Sequence, residues 1–210
     1  MYQCTQLQIE LTTLIENAGS DHVPTFGGRF EGGYHIQQNP AEFAELLSVL
    51  KGRSIMSYLQ IGSAAGGAER LVCEYAGISD LTIIDDGLHP KFSIWTNINR
   101  PSIEARGVLV TQHIGNSHGH EAREFLEFRG KPFDLVGIDG DHTLAGVRAD
   151  WTLTEPFLKP GTLVWFHDIS SNLLPPEMQG SKEVWEEVSK RHKVILETFR
   201  HCGIGLLEII

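Results

Sequence analysis

An apolar run breaks into a loop of small residues at positions 57–68, which read Ser-Tyr-Leu-Gln-Ile-Gly-Ser-Ala-Ala-Gly-Gly-Ala. A helix-compatible segment, 68–72, follows at once. A strand, a small-residue turn and a helix in this order bring backbone N–H groups and a helix N-terminus to a ligand. Gly62 and Gly66 suit this role because a larger side chain would stand where the ligand must lie. Any tight strand-to-helix turn also favours glycine, so the stretch alone leaves both interpretations open.

Apolar runs and helical patterns alternate along the rest of the chain. Strands are predicted at 55–61, 80–85, 108–113, 133–139, 163–167, 194–199 and 204–209. Such alternation builds a parallel sheet with helices on both faces. Residues 200–203 alone join the last two strands, and a parallel crossover needs about a dozen residues or more, so these two strands must pair antiparallel. The prediction is an α/β three-layer sandwich with a seven-stranded, mostly parallel sheet and an antiparallel last strand.

The N-terminal part has a different character. A helical pattern over residues 3–17 needs a covering surface from this chain or from a second copy, because its apolar face carries Leu7, Leu11 and Leu14. Residues 21–38 follow as a glycine-rich loop without a regular period, which predicts a functional, lid-like segment. We therefore divide the chain into an N-terminal helix and loop, 1–38, and a main domain, 39–210.

Two local signals predict how helices begin and break. Asn39 precedes Pro40, which suits the first helical position, and Glu42 completes a capping-box pattern. Residues 90–104 have a helical pattern that Pro101 is expected to interrupt, because proline lacks a backbone N–H and its ring clashes with the preceding turn.

Composition and charge limit the function classes. The chain has 210 residues, enough for one domain with a substantial core, and no apolar run is long enough to span a bilayer. The net charge of −10 argues against nucleic acid as an obligate partner, because phosphate binding needs a basic surface. The first residues lack a secretory pattern, and Cys4, Cys73 and Cys202 lack metal-type spacing, so free thiols in a reducing cytoplasm are expected.

Four stretches carry a family resemblance. They are 59–66 (LQIGSAAG), 81–85 (LTIID), 114–117 (IGNS), and the pair 135–142 (LVGIDGDH) and 161–168 (GTLVWFHD). Together with the reversed last strand they resemble the class I S-adenosylmethionine-dependent methyltransferases, from about residue 37 to the end. The likeness is greatest to the metal-dependent small-molecule O-methyltransferases of the catechol, caffeoyl-CoA and macrolide-sugar types, and above all to the last. It implies a Rossmann-like methyltransferase fold.

The resemblance implies a set of cofactor contacts. Gln60, Gly62, Ser63 and Gly66 would surround the methionine part of S-adenosylmethionine, and Asp139 would lie beside it. An acid at the tip of the second strand can take both ribose hydroxyls, which points to Asp85 with Asp86 as its substitute. Asn116 and Ser117 would offer an amide and a hydroxyl to the adenine edge. Residues 85–87 and 115–117 are also explained as ordinary turns.

The fourth stretch predicts a metal site. Asp139 ends one strand while His167 and Asp168 end the next, and neighbouring parallel strands finish on the same edge of a sheet. One imidazole and two carboxylates suit a divalent ion such as magnesium or manganese. His142 stands where related enzymes place their general base, and an imidazole can take a proton near neutral pH. The alternative is structural, with Asp141 as the N-cap of the following helix.

Three residues depart from the family pattern. Gln60 replaces the acid of the first motif, Ala64 replaces its middle glycine, and His167 stands where the catechol and caffeoyl types carry aspartate. Gln60 can accept a bond from an ammonium group but brings no charge. A less anionic site with an imidazole suits manganese or iron better than magnesium.

The expected function is methyl transfer from S-adenosylmethionine to a hydroxyl oxygen of a small molecule, a sugar or a natural product, assisted by a divalent metal. The expected partner is that acceptor, with no nucleic acid and no membrane, and a homo-oligomer is one way to cover the first helix. The substrate side is predicted to include Tyr34, His35, Gln37, Gln38 and the segment 170–176. One alternative is metal-dependent chemistry without methyl transfer, as in a hydroxylase. The other is a non-catalytic binding protein.

Overall fold

The computed structural model describes residues 5–17, 34–170 and 174–210. Cys4, most of the predicted lid-like loop 21–38 and residues 171–173 of the second substrate-side segment lie outside these ranges. Within them, no helix is long and apolar enough to cross a bilayer.

One seven-stranded sheet with the order β3-β2-β1-β4-β5-β7-β6 forms the centre of the molecule. Its strands are β1 (Ser57–Ile61), β2 (Asp80–Asp85), β3 (Leu109–Ile114), β4 (Leu135–Ile138), β5 (Leu163–His167), β6 (Lys193–Glu197) and β7 (Ile204–Glu208). The pairs among β1–β5 are parallel, and β7 lies antiparallel to both β5 and β6. The predicted architecture, including the reversed last strand, is confirmed.

Helices flank the sheet on both faces. They are α1 (Gln6–Asn17), α2 (Pro40–Leu50), α3 (Gly67–Ala76), α4 (Phe92–Ile94), α5 (Arg100–Glu104), α6 (His120–Arg129), α7 (Leu144–Thr154) and α8 (Gly180–Val188). One buried cluster lies between the sheet and α1, α2, α3 and α5, and the other between the sheet and α6, α7 and α8. Trp165 and Phe166, neighbours on β5, belong to opposite clusters because successive strand residues face opposite sides.

Helix α1 is covered by this chain itself. Leu11 is only 1% exposed and Leu7 packs against the same core cluster as residues of α2. The amide of Gln8 also donates to the Ser48 hydroxyl on α2 at 3.4 Å. A second copy is therefore not required to bury the apolar face around Leu11.

The signal at Asn39 is half confirmed. Its side chain accepts from the N–H groups of Ala41 and Glu42, at 3.0 and 3.3 Å, and Pro40 is the first helical residue. The capping-box role of Glu42 is wrong. Its fully buried carboxylate instead bonds to the turn between β6 and β7, which lies more than 150 residues further along the chain.

Pro101 does not break its helix as predicted. A π-helical turn, Trp95–Asn99, joins α4 to α5, and the N–H of Arg100 bonds to the carbonyl of Trp95, five residues back. Pro101 then occupies the first turn of α5, where its missing N–H costs little. The helical segment stays continuous because the π-helical turn lies directly before the proline.

The start of α7 shows that the predicted structural role of Asp141 is wrong. The N-cap is Thr143, whose hydroxyl accepts from the N–H of Gly146 at 3.1 Å, and not Asp141. Asp141 accepts from the N–H of Thr143 at 2.9 Å. His142 therefore lies in the turn that precedes the helix, and its side chain is 26% exposed.

Candidate active site

The loop after β1 turns at Gly62 and Gly66, whose φ angles are +77° and +80°. A Cβ atom on Gly62 would lie 2.1 Å from the carbonyl oxygen of Asp139, and one on Gly66 would lie 2.3 Å from the ring of Trp95. Glycine is therefore required at both positions. These contacts within the chain account for both glycines, as the tight-turn interpretation expects.

Ala64 has a φ of +48° at the position of the missing motif glycine. A non-glycine residue in this left-handed region carries backbone strain that its contacts must offset. Asp85 supplies the contacts, because its Oδ2 accepts from the N–H groups of Ser63 and Ala64 at 2.7 and 3.1 Å. Its Oδ1 accepts from the N–H of Gly87 at 2.7 Å. The Asp85 carboxylate thus shapes the loops after both β1 and β2, as the turn interpretation expects.

Gln60 is buried beneath the same loop. Its Nε2 donates to the carbonyl oxygens of Ile61 at 3.1 Å and Gly62 at 2.7 Å, and its Oε1 accepts from the Tyr58 hydroxyl. Gly137 pairs with it on β4, where a Cβ atom would lie 2.1 Å from Oε1. Both amide hydrogens of Gln60 are therefore used inside the chain, which makes this side chain a support for the loop.

A cavity of about 800 Å³ opens at the carboxyl ends of β1–β4. Parallel α/β sheets bind ligands at this edge. Six of the predicted site residues line the cavity, namely Gly62, Asp85, Asn116, Ser117, Asp139 and His142. Asp86, the substitute for Asp85, is exposed there and accepts from the N–H of Leu88 at 2.8 Å.

The β3 side of the cavity is organised by Asp150 of α7. The Ser117 hydroxyl donates to Asp150 Oδ1 at 2.7 Å, and His118 Nε2 lies 3.3 Å from the same oxygen. Burial raises the pKa of Asp150 to about 6, although Ser117 and His118 act in the opposite direction. Asn116 accepts from the N–H of His118 at 2.8 Å. The two predicted adenine contacts thus stand on a loop that α7 holds in place.

The four residues of the fourth motif meet at the ends of β4 and β5. His167 Nδ1 lies 3.1 Å from Asp139 Oδ1 and 3.2 Å from Asp168 Oδ2. His142 Nε2 lies 3.1 Å from the same Asp168 oxygen and 3.6 Å from Asp139 Oδ1. Asp168 has a φ of +61°, a strained conformation for a non-glycine residue. The predicted convergence of two carboxylates and two imidazoles is therefore present.

The charges of this cluster stabilise one another. Burial alone would lower the pKa of His167, but the carboxylates of Asp168 and Asp139 raise it well above its usual value. Burial alone would raise the pKa of Asp139, but His167 and His142 lower it to about 2. Burial also opposes ionisation of His142, whose pKa is nevertheless raised by Asp139 and Asp168. The cluster thus holds an ionised Asp139 at the cavity wall, with the imidazoles of His142 and His167 beside it.

Two overlapping groups of side chains have the spacing of metal ligands among the described residues. In each group the possible ligand atoms lie within 4.8 Å of one another, the groups being Asp139, His142, Asp168 and His167, Asp168, Cys202. His167 Nε2 is buried and has no hydrogen-bond partner in the described part of the chain. Each group shares two residues with the predicted set of Asp139, His167 and Asp168, and each combines carboxylate and imidazole ligands, which suit a divalent cation.

Of the residues predicted on the substrate side, some lie at the cavities and one does not. Gln37 lines the large cavity, and Gln38 donates to Asp139 Oδ2 at 2.6 Å, which brings the end of the lid-like loop to the acid cluster. His35 is buried beside a smaller cavity. Tyr34 points elsewhere, because its hydroxyl donates to Glu74 on α3 at 2.9 Å.

Two side chains near the site were not predicted. Cys202, one of two free thiols in the described residues, lies beside His167 and Asp168 on the turn between β6 and β7. Glu69 is buried at the start of α3, where it lines the smaller cavity. No spacing in the sequence links Cys202 to β5. Glu69 could have been found, because it is an acid in the first turn of the helix that follows the small-residue loop.

Comparison with known proteins supports the fold and the family. Residues 49–169 match the family model described as a methyltransferase domain, which is more than half of the chain. Among curated proteins, none matches the chain.

Solved structures with similar folds include several O-methyltransferases. One is TomG from Streptomyces achromogenes, solved with S-adenosylmethionine, at 16% identity and a TM-score of 0.62, covering 100% of this chain and 92% of that one. An O-methyltransferase from Bacillus cereus, solved with S-adenosylhomocysteine, has 16% identity and a TM-score of 0.59, covering 99% and 93%. MycE of mycinamycin biosynthesis, solved with magnesium, has 17% identity and a TM-score of 0.57, covering 95% of this chain and 53% of that one.

These findings agree with the architecture and with the resemblance found in the motifs. The sheet order, the reversed last strand and the cavity at the carboxyl edge are those of the class I fold, and the family model spans the stretch from α2 to the end of β5. The chain therefore belongs to the methyltransferase-domain family, as a class I S-adenosylmethionine-dependent methyltransferase.

Proposed function

We propose that the protein transfers a methyl group from S-adenosylmethionine to a hydroxyl oxygen of a small molecule. The observation that carries this proposal is the cluster of Asp139, His142, His167 and Asp168, of which Asp139 and His142 line the large cavity. The loops after β1, β2 and β3, where a class I cofactor binds, line the same cavity. A volume of about 800 Å³ is large enough for the cofactor together with a small acceptor.

The chemistry needs a nucleophilic oxygen beside the methyl group. The acceptor oxygen forms the new bond to the methyl carbon while the carbon–sulfur bond breaks, and S-adenosylhomocysteine leaves as a neutral thioether. The hydroxyl proton goes to His142, which lines the cavity and lies beside the carboxylates of Asp139 and Asp168. The carboxylates stabilise the imidazolium that forms.

We propose that Asp139, His167 and Asp168 hold a divalent cation, magnesium or manganese. Nδ1 of His167 lies 3.1 Å from Asp139 Oδ1 and 3.2 Å from Asp168 Oδ2, and this nitrogen with the two ionised carboxylates supports the proposed donor set. When bound, such a cation lowers the pKa of a coordinated hydroxyl and orients its oxygen. The two imidazoles are not equivalent, since His142 is partly exposed to the cavity and His167 is buried. This difference favours His142 as the base and His167 as the ligand.

A sugar or natural-product hydroxyl is our proposed acceptor. Support comes from the motif resemblance to the macrolide-sugar enzymes and from the fold likeness to MycE, which was solved with mycinamycin VI. The net charge of −10 disfavours a nucleic-acid acceptor. A cytoplasmic location belongs to the same proposal. Because this chain covers the apolar face around Leu11 by itself, a homo-oligomer rests on sedimentation measurements alone.

Calorimetric titration of S-adenosylmethionine into metal-stripped protein, repeated with magnesium and with manganese, tests the proposal. We expect micromolar binding that becomes productive with metal, followed by release of S-adenosylhomocysteine when hydroxylated sugars and natural products are screened. Metal-dependent turnover without S-adenosylhomocysteine would favour the hydroxylase-like alternative. Absence of cofactor binding by folded protein would favour the non-catalytic alternative.

A further inference from the structure

Glu69 is a buried acid without a complete set of partners. It is the third residue of α3 and only 1% exposed. Its Oε2 has no hydrogen-bond partner among the described residues. A buried carboxyl oxygen without a partner is costly, and such a group calls for an explanation.

The space around Glu69 is small and connects to the proposed cofactor site. A cavity of about 30 Å³ is lined by Glu69, by residues 35–38 and by the loop after β1. Four of its lining residues, Gln37, Gly62, Ala64 and Asp139, also line the large cavity. A volume near 30 Å³ is roughly that of one water molecule, and an ammonium group has a similar size.

The charge around this space favours a cation. Burial raises the pKa of Glu69 well above its usual value, and the nearby carboxylates of Asp139 and Asp85 raise it further. Asp85 already accepts hydrogen bonds from the backbone N–H groups of the loop after β1, and Asp139 accepts one from the Gln38 side chain. Of these three acids, Glu69 has the buried carboxyl oxygen, Oε2, that can still accept a hydrogen bond from a positively charged donor.

We infer that Glu69 receives the ammonium group of the methionine part of S-adenosylmethionine. The motif resemblance assigns this contact to position 60, where both amide hydrogens of Gln60 are bonded to the loop carbonyls. The carboxylate missing from the end of β1 is thus replaced by one at the start of α3. This inference rests on the proposed function, because it requires S-adenosylmethionine as the cofactor.

The test compares two ligands that differ only in the amino group. S-adenosylhomocysteine and its deaminated analogue are titrated calorimetrically into wild-type protein and into Glu69→Gln, which keeps shape and loses charge. We expect the substitution to weaken binding of S-adenosylhomocysteine by about 10-fold or more, the usual effect of a lost charge-assisted bond. Binding of the deaminated analogue should change by less than about twofold, because no ammonium group is present to contact Glu69.

Controls separate this contact from effects on folding. Glu104→Gln removes the same charge from a residue on α5 that pairs with Arg100 at the surface, and it should leave both affinities unchanged. Thermal unfolding checks that each variant is folded. If Glu69→Gln does not fold, the inference is tested with wild-type protein alone. Equal affinity of wild-type protein for S-adenosylhomocysteine and its deaminated analogue would overturn it.

The outcomes distinguish the two proposals. Wild-type protein that binds neither ligand overturns the proposed function and the inference with it. Wild-type protein that binds S-adenosylhomocysteine while Glu69→Gln binds it equally well overturns only the inference. An equal loss for both ligands would show that Glu69 supports the loop and does not contact the ammonium group.

Discussion

The amide of Gln60 bonds to two backbone carbonyls, which explains why a neutral side chain stands at a position that is acidic in the related motif. A carboxylate has no hydrogen to donate to the carbonyl oxygens of Ile61 and Gly62. It would also repel them inside a buried region where Gln60 is 1% exposed. The departure from the motif is therefore a structural requirement of this loop and is compatible with a bound cofactor.

Replacement of Gln60 by glutamate should destabilise the protein. Two carbonyl oxygens would lose their donors, so we expect the free energy of unfolding to fall by about 1–3 kcal/mol, measured by urea denaturation. Gln112→Glu is the matched control, because Gln112 accepts a bond from Trp95 Nε1 at 3.1 Å and a carboxylate can still accept it. Equal stability of Gln60→Glu and wild type would show that these amide bonds contribute little.

Asp150 should make stability depend on pH. Burial raises its pKa to about 6 in the folded protein. Since the unfolded chain then ionises first, the free energy of unfolding should fall between about pH 4 and pH 6 and level off above, a decrease of about 3 kcal/mol from this group. Asp150→Asn should remove this part of the slope, which chemical denaturation across that range would measure. If the free energy of unfolding depends on pH in the same way in Asp150→Asn and wild type, the raised pKa of Asp150 is contradicted.

At the scale of elements, the strand ends and the turns after them hold the acid and histidine side chains. The turn that carries His142 is clamped by α8, because the N–H of Gly180 donates to the His142 carbonyl at 2.9 Å. A Cβ atom on Gly180 would lie 2.4 Å from the backbone of residues 143 and 144. His167, in contrast, is the last residue of β5 and is fixed by the sheet. One imidazole thus stands on a turn and the other on a strand.

Alanine substitutions should separate the two histidines. His142→Ala should lower turnover of the acceptor found in the screen by about 100-fold or more, the usual range for a lost general base, with manganese affinity unchanged. His167→Ala should weaken manganese affinity, measured calorimetrically, by about 10-fold or more. The reverse result would assign the cation to Asp139, His142 and Asp168, whose possible ligand atoms lie within 4.8 Å of one another.

At the scale of the whole molecule, Glu42 connects α2 to the wall of the candidate metal site. Its Oε1 accepts from the Thr198 hydroxyl and from the N–H groups of Arg200 and His201, at 2.8–3.0 Å, and its Oε2 accepts from the N–H of Gly203 at 3.2 Å. The turn so held carries Cys202 beside His167 and Asp168. One buried side chain therefore positions a segment on the far edge of the sheet.

Replacement of Glu42 by glutamine should loosen this turn. The amide nitrogen would face backbone N–H donors, so we expect the free energy of unfolding to fall by about 1–3 kcal/mol and alkylation of the Cys202 thiol, followed by mass spectrometry, to become faster. Glu187→Gln is the control, because Glu187 pairs with Arg148 at the surface, away from this turn, and its replacement should cost less than about 1 kcal/mol. Wild-type alkylation rates in Glu42→Gln would contradict this role.

Much of the fold could be predicted from local pattern. The central strands β4 and β5 are buried, mostly apolar runs, and the short connection between β6 and β7 excludes a parallel pair. The edge on which Asp139 and His167 meet follows from the common direction of β4 and β5. Pro101 was misjudged because a π-helical turn, which has no simple sequence signal, absorbs it.

The location of the candidate site could be predicted from the sequence, but the hydrogen-bond partners of its buried polar side chains could not. Alternation of strands and helices, a property of neighbouring residues, was enough to determine the sheet and its ligand-binding edge. The partners of Gln60, Asp85 and Glu42, and the positions of Glu69 and Cys202, were settled by tertiary structure alone. A buried polar side chain takes its partners from whatever backbone packs against it, and that backbone comes from segments with no fixed spacing in the sequence.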